Sequence, residues 1–142
     1  MGGGLAMVLA WKEPRIIASA SLISASDFWW DVTHKPPGSE QNNKKISYSQ
    51  RVRNLVSSID PWPRLSQIPP KALFVTNGTK DPYIDITLMR RFAAKIKNLY
   101  SHFPERFCFK EEPVGHQPTI TMRCGAADWL TQFLQNKRDI KE

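Results

Sequence analysis

The alternation of apolar and polar positions along the chain predicts short strands separated by helices. Residues 72–76 form an apolar, partly β-branched run that stops at Asn77-Gly78, which is typical of a buried strand. Residues 106–110 form a second such run, and residues 15–23 form a third that is rich in small side chains. This pattern predicts an α/β fold with about three strands.

Four stretches between and around these runs have the character of helices. The clearest covers residues 86–100, where apolar residues recur at spacings of three and four and Asp85 is a suitable N-cap. A second amphipathic helix is predicted over residues 119–137, and a modest one over 47–58, whose aliphatic residues are expected to face inward. Residues 5–11 are apolar all round, which predicts a helix packed on several sides.

The segment from Lys71 to His116 supplies the functional prediction. A strand, a helix and a strand in succession form a right-handed crossover with parallel strands, whose carboxyl ends share the edge where ligands bind in α/β sheets. Asp81 follows the first of these strands and His116 follows the second. We therefore expect them to meet, as an acid that sets the tautomer of a catalytic base. Taken singly, Asp81 could instead begin a turn before Pro82, and His116 could be an ordinary loop histidine.

The connection between the first two predicted strands is unusually long. Residues 24–70 include a polar stretch with prolines and glycine, and long insertions at a ligand edge are typical of lids or specificity segments. Phe28, Trp29 and Trp30 lie near its start and cannot all point into one core. They either line a substrate pocket or pack a lid onto the domain.

Composition narrows the class of protein. The chain has 142 residues, a one-domain length, with 41% hydrophobic and 23% charged residues, and no apolar run approaches the roughly 20 residues of a membrane span. We expect a soluble domain over residues 1–142 that does not bind membranes. The net charge of +7 is spread over helix faces without a basic stripe interleaved with aromatics, so we expect no nucleic-acid partner.

The cysteines and the N-terminus give weaker indications. Cys108 and Cys124 are too few for a disulfide framework and lack metal-ligand spacing, so we expect reduced, buried thiols and no metal or cofactor. The apolar N-terminus is a feature of signal peptides. However, it has no basic region and is interrupted at residues 12–15, which favours a cytoplasmic location. The glycines at residues 2–4 are either flexible or open a helix whose free N–H groups suit an oxyanion.

Five short features of the chain occur together in one family of proteins. They are Gly2-Gly3 with the apolar helix after it, Asp60-Pro61, the stretch 68–75, Gly78-Thr79-Lys80-Asp81, and Gly115-His116 before a helix that contains Trp129-Leu130. With these features the chain resembles the C-terminal half of an α/β-hydrolase, most closely the dienelactone hydrolase and prolyl oligopeptidase branch of small esterases and peptidases. The order of acid before histidine agrees with the family order of nucleophile, acid and histidine. The resemblance implies a partial α/β-hydrolase fold of about three parallel strands flanked by helices, with residues 24–70 as a lid-like insertion.

The family's nucleophile elbow, Gly-x-Ser-x-Gly, does not occur in the chain, and none of the serines at residues 19–26 has its flanking glycines. Residues 1–3 are similar to the part of the elbow that directly follows the serine. The resemblance therefore implies that the nucleophile lies upstream, that the backbone N–H of Met1 is an oxyanion donor, and that Asp81 orients His116 as general base and acid. The substrate would be a small acyl ester or a peptide.

The leading hypothesis is thus a serine hydrolase present without its nucleophile-bearing half. The alternative is a catalytically inactive remnant that binds a partner or small ligand through the aromatic edge at Phe28, Trp29 and Trp30, and a basic nucleic-acid module ranks last. In either of the first two cases the strand at residues 15–23 lacks one neighbour. We therefore expect marginal stability and self-association through the exposed sheet edge.

Overall fold

The computed structural model describes residues 2–28 and 48–135, which form three strands, four α-helices and two short 3-10 helices. The strands are β1 (Ala18–Leu22), β2 (Ala72–Gly78) and β3 (Phe107–Glu112). The helices are α1 (Gly2–Lys12), α2 (Gln50–Ile59), α3 (Ile86–Leu99) and α4 (Ile120–Gln135). The 3-10 helices, Trp62–Gln67 and Pro104–Arg106, precede β2 and β3.

The three strands form one parallel sheet in the order β1-β2-β3. Ala18 pairs with Ala72 where β1 begins, and Leu73 pairs with Phe107 where β3 begins. Every residue of β2 is buried, because this strand has a neighbour on each side and helices on both faces. The predicted α/β class, with three parallel strands flanked by helices, is confirmed.

Alternate side chains of β2 divide the core into two layers. Leu73 and Val75 belong to a cluster with residues of α1 and α3, among them Met7 and Phe92, all with no measurable exposure. Phe74 points to the opposite face, where its ring centroid lies 6.0 Å from that of Trp129 in α4. This alternation follows from the two-residue period of a strand, and it places α4 on one face of the sheet and α1 with α3 on the other.

Lys71, directly before β2, ties α1 to the rest of the fold. Its Nζ donates to the carbonyl oxygens of Ala10 and Glu13, each at 2.8 Å, and these oxygens belong to the end of α1, where carbonyls lack helical partners. The hydroxyl of Tyr100 donates to the carbonyl oxygen of Lys71 at 2.5 Å. Burial raises the pKa of Tyr100, so its hydroxyl stays protonated and remains a donor.

β2 and β3 extend further toward their carboxyl ends than the sequence predicts, whereas β1, predicted over residues 15–23, covers only Ala18–Leu22. Asn77 and Gly78, expected to end β2, remain in the sheet because they pair with Glu111 and Glu112 of β3. Asn77 is buried, and its side-chain Nδ2 donates to the carbonyl oxygen of Ser24 at 3.2 Å. This contact joins the ends of β1 and β2 at the edge where the predicted site lies.

One prediction of helix packing is wrong. Val52 and Leu55 of α2, expected to face inward, are exposed, and α2 has no buried residue, because in the described part of the chain it meets its neighbours only toward its C-terminal end. α1, predicted to pack on several sides, buries Met7, Val8 and Ala10. Leu5 and Leu9 are 56% and 45% exposed, since the sheet covers only one face of this helix.

The two cysteines differ in environment. Both are free thiols, as predicted, and Cys108 in β3 is half-buried. Burial raises the pKa of the Cys108 thiol, which lowers its thiolate fraction at neutral pH. Cys124 is exposed, so the prediction that both are buried is wrong. It lies two positions after the buried Met122 and therefore on the opposite side of α4.

Among the residues that the structure describes, no helix has the length and apolar character that crossing a membrane requires.

Gly78→Ala should destabilise the fold by displacing the loop that carries His116. A Cβ at position 78 would overlap the carbonyl oxygen of Val114 and lie 2.7 Å from that of Gly115, and these backbone atoms can yield only if the loop shifts. We expect a loss of about 2–3 kcal/mol in the free energy of unfolding, measured by urea denaturation. The matched control is Gly115→Ala, whose Cβ would meet its nearest atom, the carbonyl oxygen of Lys80, at 3.8 Å. Equal losses for the two variants would contradict the steric argument.

Self-association is expected at the free side of β1, which pairs only with β2 among the described residues. β1 has this unpaired edge, and α1, which is bonded to β1 through Ser19 and Ser21, exposes Leu5 and Leu9. An open strand edge together with exposed apolar side chains promotes association. Sedimentation velocity at micromolar concentration should show dimers or larger species. Leu9→Glu should shift them toward monomer, whereas Leu134→Glu, at an exposed position of α4, should not. A compact monomer with cooperative unfolding would exclude this surface.

Candidate functional site

Asp81 and His116 are in direct contact at the carboxyl edge of the sheet. Oδ2 of Asp81 lies 2.8 Å from Nδ1 of His116. The side chain of Asp81 is 0% exposed, whereas that of His116 is 40% exposed. The structure therefore brings together the two residues that the sequence pairs, with the acid behind the imidazole and the imidazole open to solvent.

The loop after β2 holds the acid in place through its second carboxylate oxygen. Oδ1 of Asp81 accepts hydrogen bonds from the backbone N–H groups of Tyr83 at 2.8 Å and Ile84 at 3.0 Å. These bonds close a turn of the kind that an Asp-Pro sequence favours. Asp81 thus both begins a turn and contacts the histidine, so these two interpretations of its role do not exclude each other.

The loops after β2 and β3 are joined to each other as well. The backbone N–H of Thr79 donates to the carbonyl oxygen of Glu112 at 2.7 Å, and that of Lys80 donates to the carbonyl oxygen of Val114 at 3.0 Å. These bonds continue the parallel pairing beyond the strands. On the other side, Oγ1 of Thr119 donates to the Glu112 carboxylate at 2.7 Å, so the start of α4 also positions the loop that carries His116.

The contact determines the tautomer of His116. An ionised carboxylate can only accept, so Nδ1 carries the proton that it shares with Asp81. In the neutral imidazole Nε2 is then the nitrogen with a free lone pair. This is the arrangement that a general base requires, because the acid fixes the ring and leaves the second nitrogen for a substrate or nucleophile.

An apolar cavity of about 530 Å³ lies beside His116. α1 lines it with Leu5 and Val8, and α2 lines it with Val56 and Ile59. Its volume falls within the range of small-molecule sites in proteins. The site therefore consists of an imidazole paired with a buried acid, at the side of a space that can hold a ligand.

The turn after β1 forms another wall of this cavity, and its backbone is strained. Ile23, which lines the cavity, has a φ of 49°, and the left-handed region costs a β-branched residue about 1–2 kcal/mol. Its N–H donates to the carbonyl oxygen of Thr76 at 2.9 Å, which continues the pairing of β1 with β2 and holds this conformation. Backbone strain of this kind is concentrated at ligand sites, so Ile23 supports a functional role for the cavity.

Of the residues predicted to bind substrate, Phe28 is half-buried and lines the cavity. Its backbone N–H donates to Oδ1 of Asp60 at 3.4 Å, which ties the end of this turn to the segment after α2. Trp29 and Trp30, and Met1 as the expected oxyanion donor, lie outside the described residues, as do positions 29–47 of the predicted insertion.

The serines near the cavity bond to the body of the fold. Oγ of Ser19 donates to the carbonyl oxygen of Ala6, and Oγ of Ser21 donates to that of Gly3, each at 3.0 Å. Ser24 lines the cavity, with its Oγ 2.7 Å from that of Ser21. These bonds dock α1 onto β1, which gives the small residues of this strand a structural purpose.

Tyr83 is a site residue that the sequence analysis missed. Its ring makes an edge contact with the imidazole of His116, with centroids 5.1 Å apart and planes at 82°. Tyr83 stands two positions after Asp81 in the sequence, but the turn that brings its ring to the imidazole is seen only in the structure, where its N–H donates to Oδ1 of Asp81. The contributions of Val56 and Ile59 were also missed, since the amphipathic pattern of α2 does not reveal which element it faces.

The described residues contain no cluster of three or more His, Cys, Asp or Glu side chains that could hold a metal ion. No protein-family model matches the chain. A search of curated proteins finds no significant match either. The geometry of the site is therefore the basis for any functional assignment.

Asp81→Asn should reverse the tautomer of His116 while the loop keeps its shape. The amide oxygen would take the two backbone N–H groups that now bond to Oδ1, so the amide NH₂ would face Nδ1 and move the imidazole proton to Nε2. Nitrogen chemical shifts of the neutral ring should report this change. Asp85→Asn, at the N-cap of α3, should leave the ring unaffected. An unchanged tautomer in Asp81→Asn would show that the carboxylate does not set it.

Proposed function

We propose that this chain is the acid- and histidine-bearing part of a serine hydrolase of the α/β-hydrolase type, which cleaves esters or related acyl bonds. The observation that carries the proposal is the 2.8 Å contact between Asp81 and His116 beside an apolar cavity. The order of the acid and the histidine along the chain, each after a parallel strand, agrees with it.

In the proposed reaction His116 moves protons and Asp81 keeps it oriented. As a serine hydroxyl attacks the carbonyl carbon of the ester, Nε2 of His116 accepts the hydroxyl proton, and the imidazolium that forms is stabilised by the Asp81 carboxylate. His116 then donates this proton to the leaving alcohol, and an acyl-enzyme remains. Water repeats the sequence, losing a proton to Nε2 as it attacks, and the acid product and the free serine are released.

The resemblance assigns the nucleophile to the residue directly before Met1, in a longer form of the protein. α1 begins at Gly2, and its first N–H groups have no partner within the helix. Gly4, in this first turn, lines the same cavity as His116. The N–H groups and the positive end of the helix dipole are thus suited to stabilise a developing oxyanion, which supports the expected role of the Met1 backbone.

The second candidate function is ligand binding by a catalytically inactive remnant. Phe28, which lies in the cavity wall, supports this alternative. Fluorophosphonate labelling separates the two. A longer form translated in frame from upstream should label covalently, whereas the chain of residues 1–142 should not. A longer form that contains a serine and still fails to label would favour the remnant.

His116→Ala in the longer form should lower kcat for a small acyl ester by about a thousandfold or more, because the members of a triad act as a unit. His102→Ala is the matched control, since His102 is exposed in the turn after α3 and does not line the cavity. It should retain activity within about twofold. Equal activity in His116→Ala and the unmodified enzyme would overturn the proposal.

A further inference from the structure

We propose that the cavity beside His116 binds an uncharged aliphatic chain of the substrate, so that the protein selects esters of neutral apolar groups over charged ones. As a statement about substrates this inference rests on the proposed hydrolase function. As a statement about binding it can be tested without the nucleophile. The argument comes from the described lining of the cavity, the pairing of His116 with Asp81, and the position of α2.

The described part of the lining offers a charged ligand no partner. Among the described residues, the polar side chains that line the cavity besides the imidazole of His116 are the hydroxyls of Ser24 and Tyr83, and the other side chains are aliphatic or aromatic. Moving an unpaired carboxylate or ammonium group into such surroundings is costly, whereas each methylene group gains free energy there. The cavity therefore favours hydrocarbon.

His116 does not alter this preference. A protonated imidazole would attract an anion, but its charge would already be paired with the Asp81 carboxylate at 2.8 Å. A cation would need the Asp81 carboxylate as its partner, but that side chain is fully buried behind the imidazole and cannot contact it. A neutral group next to the scissile bond avoids both costs.

α2 supplies a wall that can be altered without disturbing the core. Val56 and Ile59 line the cavity from this helix, which has no buried residue. Val52 lies one helical turn before Val56 on the same helix, is 37% exposed and does not line the cavity. Two valines in one helix thus differ in contact with the cavity, which provides a matched pair of substitutions.

The first test is a titration of the chain with 1-alkanols from butanol to octanol, followed through the ring resonances of His116 and Tyr83. Each added methylene should tighten binding about three- to fourfold until the cavity is filled. Octanoate and octylammonium should bind at least tenfold more weakly than 1-octanol. Affinity that does not depend on chain length, or octanoate that binds as tightly as 1-octanol, would overturn the inference.

The second test compares Val56→Glu with Val52→Glu. Val56→Glu should weaken 1-octanol binding at least tenfold, because it places a carboxylate in the cavity wall, whereas Val52→Glu should change it by less than twofold. Circular dichroism verifies that both variants retain α2. Equal weakening by the two would mean that the alcohol binds elsewhere. In an independent variant, Ile59→Phe should fill part of the cavity, so that the chain length beyond which a further methylene group no longer tightens binding becomes shorter. An unchanged maximum chain length would count against binding in the cavity.

The binding experiments and the labelling experiment test the aliphatic site and the hydrolase proposal independently of each other. Binding of alcohols by residues 1–142 requires no serine, and fluorophosphonate labelling requires the longer form. If 1-octanol binds as expected and the longer form does not label, the aliphatic site stands and the hydrolase assignment falls. If the longer form labels and 1-octanol does not bind, the inference about the substrate is wrong and the hydrolase assignment stands.

Discussion

The parallel pairing of β2 with β3 is the constraint on which the contact between Asp81 and His116 depends. The pairing continues past the end of β2, because Thr79 and Lys80 donate backbone hydrogen bonds to the carbonyl oxygens of Glu112, the last residue of β3, and Val114. Two loops that leave a sheet side by side can hold their side chains at a fixed separation, whereas two independent loops could not. The absence of a side chain at Gly78 allows the backbone of residues 114–115 to pass close enough for this to happen.

Asp81 serves the site in two ways with one carboxylate. Its Oδ1 closes the turn that follows, and its Oδ2 contacts the imidazole, so the same group shapes the loop and orients the base. The side chain is buried while the imidazole is partly open, which shields the acid from solvent and leaves the second nitrogen accessible. A carboxylate with three polar hydrogens directed at it has little freedom to rotate, so the imidazole is held before any ligand arrives.

The apolar surfaces of α1 and α2 show how unevenly the fold covers its hydrophobic residues. The sheet buries Met7 and Ala10 on one face of α1, while Leu5 and Leu9 stay exposed on another. On α2, Val56 and Ile59 contribute to a cavity wall rather than to a core, while Val52 and Leu55 are exposed. Exposed apolar surface beside an open strand edge lowers the stability of a small domain and favours contact with another surface, whether a second copy or further protein.

The hydrophobic pattern by itself determined the elements, the parallel sheet and the carboxyl edge at which Asp81 and His116 stand, because these depend on periodicity and on the handedness of the crossover. Only the tertiary structure decided which surfaces the helices face. α2 is amphipathic by sequence, but the pattern cannot tell a core from a cavity wall, so Val52 and Val56 looked alike. The contact of Tyr83 with His116 and the positive φ of Ile23 likewise arise from turns whose direction neighbouring strands impose, and no local pattern encodes that direction.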